Sequence, residues 1–553
     1  MKTISWLIIC FLTCIGAKVF TQPAGKYFVV AFKNKTSSPF HLNQPEEFLS
    51  EKAIRRRLEQ NIAMDSSDLP LTPSYLETIA QLPAQIIARS KWMNSIVIVT
   101  SENQVLETIR NLSFVDTVFQ VGNSAGFKTA NLKMNDCDTE SVCLKNTTQT
   151  EYGASEVQNS MLNLQFLHQK GYRGKNISIA ILDGGFKNAD QTSAFANAWQ
   201  NGQIKGTFDL YSANSNVFDD HHHGTNVFSI LAAYLPNELI GTSTAADYYL
   251  IITENTSFEQ PVEMEFWIYG AELADSLGTD IISSSLGYQN FDIPYPDILY
   301  SATNGKSRIS LAATLAAKKG ILVVNSAGNS GNDAFLHITA PADANNILAV
   351  GSVNAAGQYS GFSSIGPSAD GRIKPEVAAQ GQATAYQTYT GQLMTGNGTS
   401  YACPIIAGFA ACLWQNFPKA NAAEIRQAII ESASQKNNPD IWYGYGIPNA
   451  QKAFQILSLQ YPDTSNSTGF LQVIPNPFVN NPKIYLYCPT NQMVLAKIFD
   501  ASGREILKYD FQVQAKQTEA FTIPALNILE SGLYYLQIKT KEKVLLQKIV
   551  KNQ

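Results

Sequence analysis

The run Gly396-Asn397-Gly398-Thr399-Ser400-Tyr401-Ala402-Cys403-Pro404 leads into a segment that is apolar on all sides, and this is the strongest constraint in the chain. Spacing predicts a helix over 401–415. Ala402, Ala407, Gly408, Ala410 and Ala411 make it small as well as apolar, so it belongs in the centre of a domain. Ser400 stands at its head. The free N–H groups and dipole of a helix start favour negative charge, and the flanking glycines let other backbone approach. A Thr-Ser pair before an apolar run is ordinarily a helix cap. The local sequence therefore has two readings, a cap or a nucleophile that needs a base within reach.

The rest of the chain must decide. With 553 residues it exceeds one ordinary core, and two to four domains are expected. The net charge of −5 is spread without blocks of one sign, which speaks against nucleic acid as a partner. Residues 1–22 read as a cleaved signal peptide: one early lysine, an apolar stretch over 4–16, and a cut between Gly16 and Pro23. That stretch is too short to span a membrane, and no later one approaches 18 apolar residues, so no transmembrane span is expected. Export makes disulfides possible. Cys137 and Cys143 sit in a polar loop and read equally as a disulfide or as two free thiols. Cys403, Cys412 and Cys488 lie in apolar runs and read as buried small hydrophobes.

From 26 to 120 the pattern gives a strand (27–32), helices (45–61 and 74–81), strands (85–88 and 95–100), a helix (103–112) and a strand (114–121), a small α+β unit. Taken alone it could be a binding module. From 151 onward apolar strands alternate with amphipathic helices, the pattern of an α/β domain with a buried parallel sheet. The strand over 177–182 ends on Asp183-Gly184-Gly185, and the carboxyl ends of such strands line the functional crevice. Asp219-Asp220-His221-His222-His223-Gly224-Thr225 precedes a helix predicted over 227–234. Neighbouring histidines point in different directions, so a shared metal ion is disfavoured. Further strands end on Ser285-Leu286-Gly287 and on Ser326-Ala327-Gly328-Asn329. A polar linker at 462–469 marks a boundary, and the short strands beyond it predict a small β-sandwich.

Asp183-Gly184-Gly185, His223-Gly224-Thr225 and Gly398-Thr399-Ser400-Tyr401-Ala402-Cys403-Pro404, with Ser326-Ala327-Gly328-Asn329 between the last two, together resemble the subtilisin-like serine peptidases, the subtilases. The resemblance covers roughly 155–455 and implies a parallel sheet flanked by helices. It implies a triad of Asp183, His223 and Ser400, with Asn329 in the oxyanion hole. Ser285, Leu286, Gly287, Ser326, Ala327 and Gly328 would flank the substrate. His223 is chosen over His221 and His222 because only it precedes Gly-Thr, and Asp219 and Asp220 are then solvated loop acids. The sequence departs from the pattern in Asn226-Val227-Phe228-Ser229, which bears on packing around the triad.

The flanks extend the resemblance. Residues 23–135, through Phe48-Leu49-Ser50 to Arg55-Arg56-Arg57 and Ser90-Lys91-Trp92-Met93-Asn94, resemble a bacterial subtilase propeptide, an inhibitor and chaperone cut off in the polar stretch between Gly122 and Glu151, with a linker and maturation region over 136–154. Residues 470–553, with Val473-Ile474-Pro475-Asn476-Pro477-Phe478 and Gly532-Leu533-Tyr534-Tyr535, resemble the type IX secretion sorting domain, joined to a catalytic domain over 155–458 by a linker at 459–469. A carbohydrate-binding or adhesive sandwich is the other reading of that end. The expectation is a secreted or cell-surface endopeptidase made as a zymogen, its partners being polypeptide substrates, its own propeptide and the type IX machinery. The chemistry requires no cofactor; the resemblance leaves structural calcium open, and no acidic loop is diagnostic of it. The alternative is an adhesion or binding protein on a catalytically silent subtilase scaffold.

Overall fold

A computed structural model describes residues 25–36, 38–123, 150–461, 470–488, 490–514, 518–541 and 544–552, together with the backbone of 142–143. The chain divides into two compact units, Met1–Ala453 and Phe454–Gln553.

The first unit begins with β1 (Lys26–Phe32), α1 (Glu51–Glu59), α2 (Pro73–Ala80), β2 (Gln85–Ser90), β3 (Ser95–Thr100), α3 (Asn103–Arg110) and β4 (Val115–Asn123). The strands form an antiparallel sheet in the order β2-β3-β1-β4. Strand side chains alternate between faces, and both faces here are covered. Phe28, Val30, Ile96 and Ile98 pack with Val105 and Ile109 of α3. Tyr27, Val29, Val97 and Val99 join Phe266, Trp267 and Ala271 of the following domain in one core. That is why β3 is buried at all six positions. The single helix expected over 45–61 is broken: a 3-10 turn at Pro45–Glu47 is followed by α1, which begins where Ser50 Oγ accepts from Ala53 N at 3.2 Å. A serine that caps cannot also lie inside a helix.

A seven-stranded, all-parallel sheet follows, built from β5 (Ser178–Asp183), β6 (Ile204–Asp209), β7 (Asp247–Ile252), β8 (Ile281–Ser284), β9 (Leu322–Ser326), β10 (Leu348–Val353) and β11 (Val377–Gln380). Its order is β11-β10-β9-β8-β5-β7-β6. Strands β5, β8, β9 and β10 are buried at every residue, as a sheet covered on both faces requires. Helices α4 (His223–Ala232), α5 (Val262–Leu277), α6 (Arg308–Lys318), α7 (Thr399–Asn416) and α8 (Ala422–Ser432) surround it. The left-handed φ of 86° at Gly320 closes the turn after α6.

Helix α7 is the buried helix foreseen from its composition, packing against β8 to β11 and α4. A β-carbon at Gly408 would lie 2.6 Å from Thr242 Cβ, so the close approach needs glycine. Cys403 and Cys412 are buried as free thiols. A hairpin, β12 (Thr384–Gln387) with β13 (Leu393–Gly396), leads into α7, and β13 also pairs with Val142–Cys143. The Cys137–Cys143 pairing lies outside the described residues.

In the second unit β14 (Phe470–Ile474), β15 (Lys483–Tyr487) and β18 (Thr518–Phe521) form one sheet. Strands β16 (Gln492–Asp500), β17 (Glu505–Val513), β19 (Gly532–Lys539) and β20 (Val544–Lys551) form another, in the order β17-β16-β19-β20. Val473, Ile484, Cys488, Val494, Leu536 and Ile549 share a core drawn from both sheets.

One feature of the first unit is not a hydrophobic contact. Helix α1 delivers Arg56 and Arg57 onto the end of α5. Arg56 Nη1 donates to Thr279 O at 2.5 Å and its Nη2 to Asp275 Oδ1. Arg57 Nη2 donates to Asp68 Oδ1 at 2.7 Å and Asp275 Oδ2 at 2.8 Å. Lys319 Nζ reaches Asp68 Oδ2 at 2.7 Å. Arg57 and Asp275 are both fully buried. Burial raises the Asp275 carboxyl, but Lys91, Arg56 and Arg57 outweigh it and hold the group down at about 2. Removing one member of such a cluster strands the other charges, typically at about 3–5 kcal/mol. Asp275→Asn is therefore expected to lower the denaturation midpoint of the uncleaved chain by that order, whereas replacing Arg56, Arg57 and Asp275 together with apolar residues costs far less. The depressed carboxyl contributes stability above its unfolded value near 4, and that contribution is lost as pH falls toward 2.

Candidate active site

The register of the parallel sheet brings the site together. Asp183 lies opposite Ile252, and Ser284 lies opposite both Leu182 and Asn325. The residues after these strand ends, Gly184, Thr253-Glu254, Ser285-Leu286-Gly287 and Ala327-Gly328-Asn329, thus emerge along one edge.

Two glycines let the His223 segment reach that edge. A β-carbon on Gly185 would lie 2.6 Å from His221 O, and one on Gly224 would be 2.9 Å from the Phe186 ring and would also strike Gly185 O. This contact sets His223, the first residue of α4, beside Asp183. His223 Nδ1 lies 2.9 Å from Asp183 Oδ1 and 3.0 Å from Oδ2. Asp183 is fully buried, His223 is 3% exposed, and Gly184 N donates to Asp183 Oδ1 at 2.8 Å. The other two histidines do different work. His221 Nδ1 accepts from His223 N at 3.2 Å, and His222 lies 5.5 Å from the Tyr389 ring. Burial, then His222 and His223, push His221 down to about 4. Asp219 and Asp220 are exposed. Among the described residues no group of three His, Cys, Asp or Glu side chains is arranged to hold a metal ion.

Helix α7 begins two residues earlier than its periodicity suggested, at Thr399. Thr399 N and Oγ1 both donate to Asn329 Oδ1 at 2.9 Å. Fixing that oxygen fixes the amide, and its Nδ2 and Ser400 both lie beside Gly398. A β-carbon on Gly398 would fall 3.7 Å from Asn329 Nδ2, 3.4 Å from Ser400 Oγ and 3.7 Å from Ser400 N. Gly398 therefore leaves open the space in front of all three atoms. One turn on, Pro404 lacks the N–H that would bond Ser400 O in a regular helix. Ser285 Oγ donates to that carbonyl instead, at 2.8 Å.

His223, Ser285, Leu286, Gly287, Ser326, Gly328, Asn329 and Ser400 line one cleft of about 250 Å³. Asn325 Nδ2 ties its two sides by donating to Leu286 O at 3.0 Å. Asp183 stands behind His223. Ala327 does not line the cleft: its side chain points the other way along the strand end, into a small core with Ile338, Ala342 and Ala349.

The sequence reading missed one wall. Glu254, Glu259, Glu263, Tyr288 and Thr339 also line the cleft. Burial pushes Glu254 up to about 8 against the hydrogen bond from Tyr288 Oη, and Glu259 and Glu263 are likewise raised by burial and then by the nearby Glu254. The available signal was Glu254 itself, an acid two residues past the end of β7.

Comparison with known proteins agrees with this geometry. The subtilase family model matches residues 174–446, a propeptide domain model of peptidase S8 from Bacteroidota matches 27–136, and a secretion system C-terminal sorting domain model matches 472–552. The thermostable alkaline protease of Halalkalibacterium halodurans is 30% identical over 301 residues, 54% of this chain and 72% of that protein. Subtilisin DY of Bacillus licheniformis is 30% identical over 290 residues, 52% of this chain and 93% of that protein. Subtilisin NAT of Bacillus subtilis subsp. natto is 29% identical, covering 54% and 70%. Similarity of this extent, running through the parallel sheet and the cleft at its edge, makes the chain a member of the subtilase family: a serine endopeptidase carrying its own propeptide and a sorting domain of a secretion system.

Proposed function

We propose that Asp183, His223 and Ser400 are the catalytic triad, and that Asn329 Nδ2 and the Ser400 backbone N–H form the oxyanion hole. The observation that carries this reading is the buried Asp183–His223 pair at 2.9 Å, which shares one cleft edge with Ser400 and Asn329. His223 takes the Ser400 proton as Oγ attacks a peptide carbonyl, then gives it to the leaving amine. Asp183 holds Nδ1–H, which leaves Nε2 as the base, and it stabilises the imidazolium that forms. The tetrahedral oxyanion develops in front of Asn329, whose amide is already oriented by Thr399 and needs no reorganisation. Water then repeats the sequence on the acyl-enzyme. The strand ends Ser285-Leu286-Gly287 and Ser326-Ala327-Gly328 flank the substrate backbone.

The same reading extends to processing. The protein is exported behind a signal peptide over 1–22, and residues 23–135 inhibit the catalytic domain until a cut between Gly122 and Glu151. Residues 470–553 direct it across the outer membrane to a secreted or surface location. What supports this is a propeptide match before the subtilase match along the chain and a sorting-domain match after it.

With a mixed peptide library, the processed enzyme is expected to cleave and Ser400→Ala is not; equal cleavage by both would sink the triad. Asn329→Ala is expected to lower kcat by about 100- to 1,000-fold with little change in KM, because the lost donor acts on charge present only in the transition state. Ser285→Ala leaves the Ser400 carbonyl without its donor and should cost on the order of 1–3 kcal/mol, read by denaturation. Ser285→Thr, which retains the hydroxyl, should cost less.

A further inference from the structure

The cleft has a floor that this reaction scheme does not use. Its two sides are the backbone at Gly287 and at Gly328, and Thr339 lies between them. A β-carbon on Gly328 would fall 2.8 Å from Thr339 Oγ1 and 3.0 Å from Cγ2, and one on Gly287 would also meet that hydroxyl. The threonine is fixed from behind. Its N–H donates to Ala327 O at 3.1 Å, and its carbonyl accepts from Ala342 N at 2.9 Å. Thr339 is 2% exposed, yet Oγ1 has no hydrogen-bond partner. The neighbouring hydroxyls are all engaged: Ser285 on Ser400 O, Ser326 on Leu286 O, Tyr288 on Glu254 and Thr399 on Asn329. Buried hydroxyls are paired as a rule, so an orphan hydroxyl in the wall of the cleft that Ser400 also lines marks a group meant for a ligand.

We propose that Thr339 determines which residue is accepted immediately before the scissile bond, favouring short side chains with a hydrogen-bonding group over long apolar and aromatic ones. The inference rests on the Ser400 assignment above. If Ser400 attacks the carbonyl carbon while its oxygen faces Asn329, the side chain on the acyl side begins one bond away. Gly328 immediately precedes Asn329, so that side chain enters between Gly328 and Gly287 and meets Thr339 at the end. The β-branched threonine shortens the space that the two glycines open. An asparagine or serine side chain can bond the orphan hydroxyl, whereas leucine or phenylalanine must cover it unpaired.

The test uses enzyme processed from the full chain and peptides that differ only in the residue before the cut, namely Asn, Ala, Leu and Phe. Ratios of kcat/KM within each variant cancel any inactive fraction. Wild type is expected to prefer Asn over Leu by about tenfold and to cleave Phe poorly. Thr339→Val, equal in shape but without the hydroxyl, is expected to bring Asn and Leu within about twofold while still excluding Phe. Thr339→Gly is expected to raise Phe relative to Ala by about tenfold or more. A wild type that prefers Phe, or an order unchanged in both variants, overturns this inference while Ser400-dependent cleavage keeps the triad standing. No Ser400-dependent cleavage of any peptide overturns both.

Discussion

Burial of α7 is the constraint on which the rest depends. A helix apolar around its whole circumference cannot lie at a surface, and here it packs along the carboxyl half of the sheet with Gly408 against Thr242. Its first turn is therefore delivered to the sheet edge as a rigid object. Thr399 then orients Asn329 through two hydrogen bonds, and the proline that interrupts the helix gives the Ser400 carbonyl to Ser285. Asp183, His223, Asn329 and Ser400, from two strand ends and two helix starts, are held by packing that none of them supplies. Placement to a fraction of an ångström is what a nucleophile and its oxyanion donors require.

The amino-terminal domain is joined to this frame by two kinds of contact with different consequences. One face of its sheet completes the apolar core over α5, which supplies affinity without much direction. The Arg56, Arg57, Asp275, Asp68 and Lys319 cluster supplies direction: buried charges gain little net stability, because desolvation offsets their attraction. They penalise every arrangement that leaves one of them alone. The carboxylate of Glu272 adds a second fixed point by accepting from Ser90 Oγ, Lys91 N and Trp92 N. Docking in one register matters for a propeptide, whose last described strand, β4, ends with Asn123 N on Gln260 Oε1, next to Glu259 on the cleft wall.

What could be read from the sequence was what local chemistry encodes. The apolar run after Ser400 announced a buried helix, β-branched runs announced the strands, and Asp183, His223 and Asn329 sit at element junctions whose glycines and turn residues mark them. Boundaries were less legible: Ser50 splits one expected helix by capping, and α4 begins at His223 because the turn before it is held by His221. Hidden altogether were contacts between residues far apart in the chain. Arg56 reads as one of a run of three arginines on an exposed helix until Asp275 is brought to it, and Thr339 reads as loop until Gly287 and Gly328 close on it. Glu254 lay between these cases, an acid at a strand end with no motif around it.

The most direct test of the central claim is intact and peptide-level mass spectrometry of the processed enzyme after exposure to a serine-directed phosphonate. A base held by Asp183 and a nucleophile held by α7 predict one adduct per molecule, on the peptide containing Ser400, and its loss in His223→Ala. An adduct on another serine, or none while a control peptidase reacts, would contradict the account.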